Sequence, residues 1–125
     1  MSQPTALPAI DVIEAERRLR EDPDQPILLD VREPAEFAEA RAPGAVLVPT
    51  SAFAGRVSEL PVDRPIMVIC HLGGRSAAVA GFLQRSGRSD VVNVDGGMDA
   101  WQRAGLPIRR GAPEPGEGEV SAVDA

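Results

Sequence analysis

Cys70 is the only cysteine of a 125-residue chain, and it opens the run Cys70-His71-Leu72-Gly73-Gly74-Arg75-Ser76. The apolar run Ile66-Met67-Val68-Ile69 precedes it, and a helical pattern follows. A thiol at the end of a buried strand, leading through glycines into a helix, stands where backbone N–H groups converge on an anion. Such a site favours thiolate over thiol, and the thiolate is the nucleophile. The chemistry this spacing offers is therefore covalent catalysis at sulfur.

The residues around the thiol divide the work. Gly73 and Gly74 permit backbone conformations that side chains forbid, so the amides of residues 71 to 76, Leu72 among them, are expected to face the sulfur. Ser76 is read as opening the helix, whose dipole adds positive potential. Arg75 offers a fixed cation shaped for an oxyanion. His71 is either a general acid or base or a bland residue on the loop rim. An inert buried thiol is the alternative reading of Cys70; the glycine-rich loop argues against it. Asp30 and Arg32 are read as supports for the loop, with Asp30 accepting hydrogen bonds from it or the next turn, and Arg32 pairing with Glu36 one helical turn on.

Composition narrows the classes. A net charge of −6 disfavours nucleic acid and anionic membrane as partners. All 13 basic residues are arginine and there is no tyrosine, so Schiff-base chemistry and tyrosine acid–base chemistry are excluded. One cysteine beside one histidine builds no structural zinc site, and no internal disulfide. No metal or other cofactor is expected. The segment Met1 to Pro8 lacks the pattern of a secretory signal and no apolar run reaches membrane-spanning length, so the expectation is a cytoplasmic protein.

The elements that must position the thiol read as alternating helices and strands. Asp11 is a cap, with Glu14 as its capping-box partner, for a helix burying Val12, Ala15 and Leu19 and stopping before Pro23. Strands are expected at Ile27–Val31, Ala45–Val48, Ile66–Ile69 and Val91–Val94, with a brief helical turn at Pro34–Phe37. Ser51 is expected to cap a helix with Phe53, Val57 and Leu60 on its buried face. The helix after Cys70 is expected to bury Ala78, Val79, Phe82 and Leu83 and to stop at Gly87. Gly96-Gly97 begins a last helix with Met98, Trp101 and Ala104 on one face, Trp101 being read as core packing. Apolar strands alternating with helices indicate an α/β fold, a parallel sheet flanked by helices on both faces. Residues 1–110 are expected to form the single domain. Residues 111–125, rich in Gly, Pro and Glu, read as a disordered acidic tail.

From Ile27 to Ile108 the sequence resembles the rhodanese family of sulfurtransferases. The match lies in Asp30-Val31-Arg32-Glu33 with Glu36-Phe37, in Pro43-Gly44-Ala45, in Cys70 to Ser76, and in Gly96-Gly97 with Trp101 and Ala104-Gly105-Leu106-Pro107. The family's Gly-His-Ile before Pro-Gly-Ala is here Ala40-Arg41-Ala42. The resemblance implies a three-layer sandwich and transfer of sulfane sulfur from a donor such as thiosulfate, through a persulfide on Cys70, to a thiol, cyanide or a partner-protein cysteine. Two rivals stand beside it: a non-enzymatic persulfide carrier or redox-sensing module, and a phosphatase on the same fold. A phosphatase loop has one more residue between cysteine and arginine than the four here, His71 to Gly74.

Overall fold

A computed structural model describes residues 7–120. Five parallel strands form one sheet in the order β1-β5-β4-β2-β3: β1 (Ala9–Ile10), β2 (Ile27–Asp30), β3 (Val46–Leu47), β4 (Ile66–Ile69) and β5 (Val91–Val94). Side chains alternate across each strand, so the sheet is apolar on both faces. One face, carrying Ile27, Leu29, Ile66, Val68 and Cys70, packs on α3 (Phe53–Arg56) and α4 (Gly74–Arg85). The other, carrying Leu28, Met67 and Ile69, packs on α1 (Val12–Glu21), α2 (Pro34–Glu39) and α5 (Gly97–Arg103). The chain leaves β2 toward β3 and leaves β4 toward β5, so the switch point lies between β2 and β4. Ligand sites of open α/β sheets form outside the strand carboxyl ends at such a crevice. Cys70 directly follows β4, and Asp30 ends β2 opposite Ile69.

Local expectations mostly hold, with informative differences. Asp11 caps α1 by accepting the Glu14 N–H at 2.8 Å, but the Glu14 carboxylate turns to Arg17 and Arg18 instead of completing a capping box. Ser51 caps nothing; its hydroxyl donates to Glu33, and the segment is a 3₁₀ turn (Thr50–Ala52), α3, and a second turn (Val57–Glu59). In α4, which begins at Gly74 and not at Ser76, the buried face is Ser76, Val79, Ala80 and Leu83, while Ala78 and Phe82 face outward, because Ser76 in the first turn faces the thiol. Ala104 is exposed, one residue beyond the end of α5. Trp101 is buried core, its indole N–H donating to the Pro107 carbonyl at 2.8 Å.

The tail departs furthest from expectation. Residues 111–120 run back along the domain, mostly exposed, with Glu117, Gly118 and Val120 seated on it; residues 121–125 lie outside the described residues. The Gly118 carbonyl accepts the Leu47 N–H at 2.7 Å, on the open side of edge strand β3, and Val120 is buried in the core cluster that includes Val46, Val48 and Phe53. Gly118 also lies against the Phe37 ring, where a Cβ would come within 3.0 Å. The anchor is Arg41, only 2% exposed, whose guanidinium donates to both Glu117 oxygens at 2.6 and 3.0 Å. That pairing holds the Glu117 carboxyl down to about 2. Composition argued for disorder because it registers apolar content, and one valine with one ion pair is enough to seat ten residues when the receiving surface is already built.

Truncation after Arg110 is therefore expected to lower stability by about 2 to 4 kcal/mol. The loss comes from uncovering the Val120 site and leaving the Arg41 charge buried without its partner. A denaturant titration matching that of the full chain would contradict this.

Candidate active site

The Cys70 side chain is 1% exposed and sits inside its own loop. The Gly73 N–H donates to Sγ at 3.1 Å, and the Ser76 hydroxyl oxygen lies 3.2 Å from it. Gly73, at φ +112°, takes the left-handed conformation that bends the loop back over the sulfur as N-cap of α4. Burial is the largest single influence on the thiol and pushes its pKa up. The Ser76 hydroxyl and the Ser76, Gly73 and Leu72 amides together outweigh it, leaving the pKa below the ordinary value. Of the amides between residues 71 and 76, that of Gly73 donates to the sulfur, and those of Leu72 and Ser76 act on it to favour the thiolate. The single Ser76 proton has two claimants, because the Gly73 carbonyl also lies 3.2 Å from that hydroxyl.

Alkylation of Cys70 is therefore expected to show a midpoint below that of a free thiol, at ~8.5. A rate–pH profile with an ordinary thiol midpoint would contradict the cradle.

The loop is held from behind by the start of α5. The Met98 and Asp99 amides donate to the carbonyls of Cys70 and His71 at 2.7 and 3.0 Å. Anchoring the carbonyls on that side leaves the following N–H groups free to turn toward the sulfur. Gly97, at φ +58°, makes this approach possible: a Cβ there would fall under 3.0 Å from both carbonyl oxygens. Asn93 in β5 points its amide at the Gly73 carbonyl at 3.4 Å. By sequence alone Gly96-Gly97 is a turn and Asn93 plain strand. The signal for Asn93 was a polar residue inside the buried run Val91-Val92-Asn93-Val94.

The charged residues are distributed differently from expectation. Arg32 does not pair with the Glu36 carboxylate; its guanidinium forks onto buried Asp30 at 3.0 and 2.8 Å and donates onward to the carbonyls of Glu36 and Ala40. Asp30 also accepts the Arg32 N–H rather than any group of the thiol loop, so this pair clamps α2 beside the crevice. The reason is geometric: two residues past a strand end, Arg32 folds back onto Asp30 before α2 begins.

Glu36 is free to take Arg75, and does so through both guanidinium nitrogens at 2.7 and 2.9 Å. The Arg75 guanidinium holds the Glu36 carboxyl down to about 2. Arg75 is thus not a free oxyanion binder, as its position in the loop suggested, but one half of an ion pair bridging α2 and α4. His71 and Leu72 are exposed on the loop, Leu72 by 67%.

Two depressions flank this ion pair. A polar hollow of about 280 Å³ is lined by Arg32, Glu36, Glu39, His71 and Gln102. An apolar groove of about 350 Å³ is lined by Phe53, Arg75, Ala78, Val79 and Phe82. Glu36 faces the first and Arg75 the second, so their pair forms the divide. Among the described residues no group of three His, Cys, Asp or Glu side chains is placed to hold a metal, and no helix is long and apolar enough to cross a membrane.

A buried thiol whose pKa is lowered by the donors of its loop, at the switch point of an open parallel α/β sheet, is the candidate nucleophile of this site. The family model described as a rhodanese-like domain matches residues 11–104. The chain belongs to the rhodanese family, and as such is a sulfurtransferase-type enzyme. It is 39% identical over 87 residues to a sulfurtransferase of Allochromatium vinosum, covering 70% of this chain and 81% of that one. It is 34% identical over 99 residues to the thiosulfate sulfurtransferase GlpE of Vibrio cholerae, covering 79% and 92%. The fold matches that of a rhodanese-related protein from Thermoplasma volcanium with a TM-score of 0.75 at 29% identity, over 82% of this chain and 97% of that one.

Proposed function

We propose that the protein moves sulfane sulfur from a small anionic donor such as thiosulfate to a thiophilic acceptor, with Cys70 as the carrier. The observation that carries this reading is the Cys70 sulfur itself: buried, unpartnered by any base, and stabilised as thiolate by the Leu72, Gly73 and Ser76 amides and the Ser76 hydroxyl. The thiolate attacks the outer sulfur of thiosulfate. The S–S bond of the donor breaks, sulfite leaves with the bonding pair, and Cys70 becomes a persulfide anion. A thiol, cyanide or the cysteine of a partner protein then takes the outer sulfur, and the bonding pair returns to Cys70 as thiolate. The amides that hold the thiolate also suit the persulfide, whose charge lies one atom further out.

Two features favour this over phosphoester hydrolysis. The loop is one residue shorter than a phosphate cradle requires, and its arginine is already engaged by Glu36. His71, exposed at the rim of the polar hollow, is read as a rim residue and not as the acid–base group. Serving as a persulfide carrier for a partner is the second reading, favoured by the single cysteine: with no second thiol, sulfur on Cys70 leaves only to an external acceptor.

Steady-state turnover with thiosulfate and cyanide tests the enzyme reading, with ping-pong kinetics expected. Hydrolysis of an aryl phosphate in place of thiocyanate formation would contradict it. A stable sulfur adduct without turnover would favour the carrier.

A further inference from the structure

The Arg41–Glu117 pair stands where the family's histidine segment is replaced, and its contacts run inward as well as to the tail. Beyond Glu117, the Arg41 guanidinium donates to the carbonyls of Phe37 and Gly111 at 3.3 and 2.7 Å and lies 5.4 Å over the Phe37 ring. The Gly111 N–H donates to the Ala38 carbonyl at 2.7 Å, and Arg41 and Arg109 exchange backbone hydrogen bonds at 2.9 and 2.8 Å. Arg109 also lies 3.9 Å from Glu117. The strap therefore grips the last turn of α2, whose carbonyls have no partner within the helix. That helix has six residues, too few to hold its own position. Its first turn carries Glu36, whose carboxylate forks onto Arg75. Arg75 stands in the first turn of α4, the turn that supplies the Ser76 amide and hydroxyl to the thiol.

We propose that the Arg41–Glu117 pair is a positioning element for the catalytic loop, acting through α2 and the Glu36–Arg75 bridge. The proposal rests on Cys70 being the working thiol, and it gives the C-terminal strap a part in setting thiol reactivity besides its part in stability. Releasing residues 111–120 leaves the end of α2 held by the Arg32 contacts and the buried Phe37 alone, lets Glu36 drift from Arg75, and loosens the donors that hold the thiolate. Networks of this kind carry 0.5 to 2 kcal/mol, which is roughly a 2- to 30-fold change in rate.

The test uses the full chain with Glu117→Gln, which removes the charge at constant size, read by the pH profile of Cys70 alkylation. Alkylation requires no sulfur donor, so the result does not depend on the transfer chemistry. The proposal expects the midpoint to rise, with the rate at neutral pH falling about threefold or more, while circular dichroism shows a folded protein. In a Glu36→Gln background, where the bridge to Arg75 is already gone, adding Glu117→Gln should shift the midpoint no further. Arg41→Lys, which keeps the charge but loses the fork, carries the same expectation if Glu117→Gln folds poorly. A lower melting temperature with the parent's alkylation profile overturns the proposal. So does a double variant whose shifts simply add.

Discussion

Cys70→Ser is expected to abolish sulfur transfer while leaving the fold intact. The exchange is nearly isosteric, and the hydroxyl can accept from the Gly73 amide that faced the sulfur. Packing against the surrounding strand and helix residues is thus retained. Chemistry is not: an alcohol in the same cradle remains protonated near neutral pH, and no neighbouring base is placed to activate it. Turnover with thiosulfate and cyanide should fall to the level of buffer, with a melting temperature close to the parent's. A variant retaining parent-like turnover would place catalysis elsewhere in the molecule.

Gly97→Ala is expected to damage stability and activity together. The residue sits at φ +58°, and its added methyl would meet two backbone oxygens, those of Cys70 and His71, under 3.0 Å. Neither oxygen is the end of a side chain that can rotate away, since both are held by the Met98 and Asp99 amides. The strain resolves only if the start of α5 backs off the loop. A loss of about 2 to 4 kcal/mol follows from the clash and the left-handed conformation together, along with a higher alkylation midpoint at Cys70. Gly87→Ala is the control. Its φ is also positive, at +105°, but a Cβ there meets nothing within 4 Å. Only the conformational cost of about 1 to 2 kcal/mol applies, and the thiol should be unaffected. Equal effects of the two variants would show that the α5 contact does not shape the loop.

These two positions also mark what the sequence discloses. Cys70 is legible because everything that defines its place is local: a strand of four apolar residues, two glycines and a helix start, all contiguous. Gly97 is legible as a turn but not as a support, because the carbonyls it meets lie more than twenty residues earlier. Charge partners follow the same rule. Arg32 has three candidate carboxylates within four residues, Asp30, Glu33 and Glu36, and the choice of Asp30 is made by the fold-back after β2, which no spacing encodes. The partner of Glu36 lies 39 residues away, and that of Arg41 lies 76 away. Strands apolar throughout their length indicate a sheet covered on both faces, since a half-exposed strand would alternate. Helix faces were less secure. Ala78 and Phe82 fit an apolar stripe as well as Ser76 and Ala80 do, and the tie is broken by where the thiol sits.

The central claim is that Cys70 carries the sulfur, and intact-mass spectrometry tests it most directly. Protein treated with thiosulfate and freed of excess donor should gain one sulfur atom per chain, lose it on addition of cyanide or a small thiol, and gain nothing as Cys70→Ser. Because the chain has one cysteine, no internal disulfide competes and the adduct should persist until acceptor arrives. An unchanged mass after exposure to sulfane donors, from protein that still forms thiocyanate, would contradict the account.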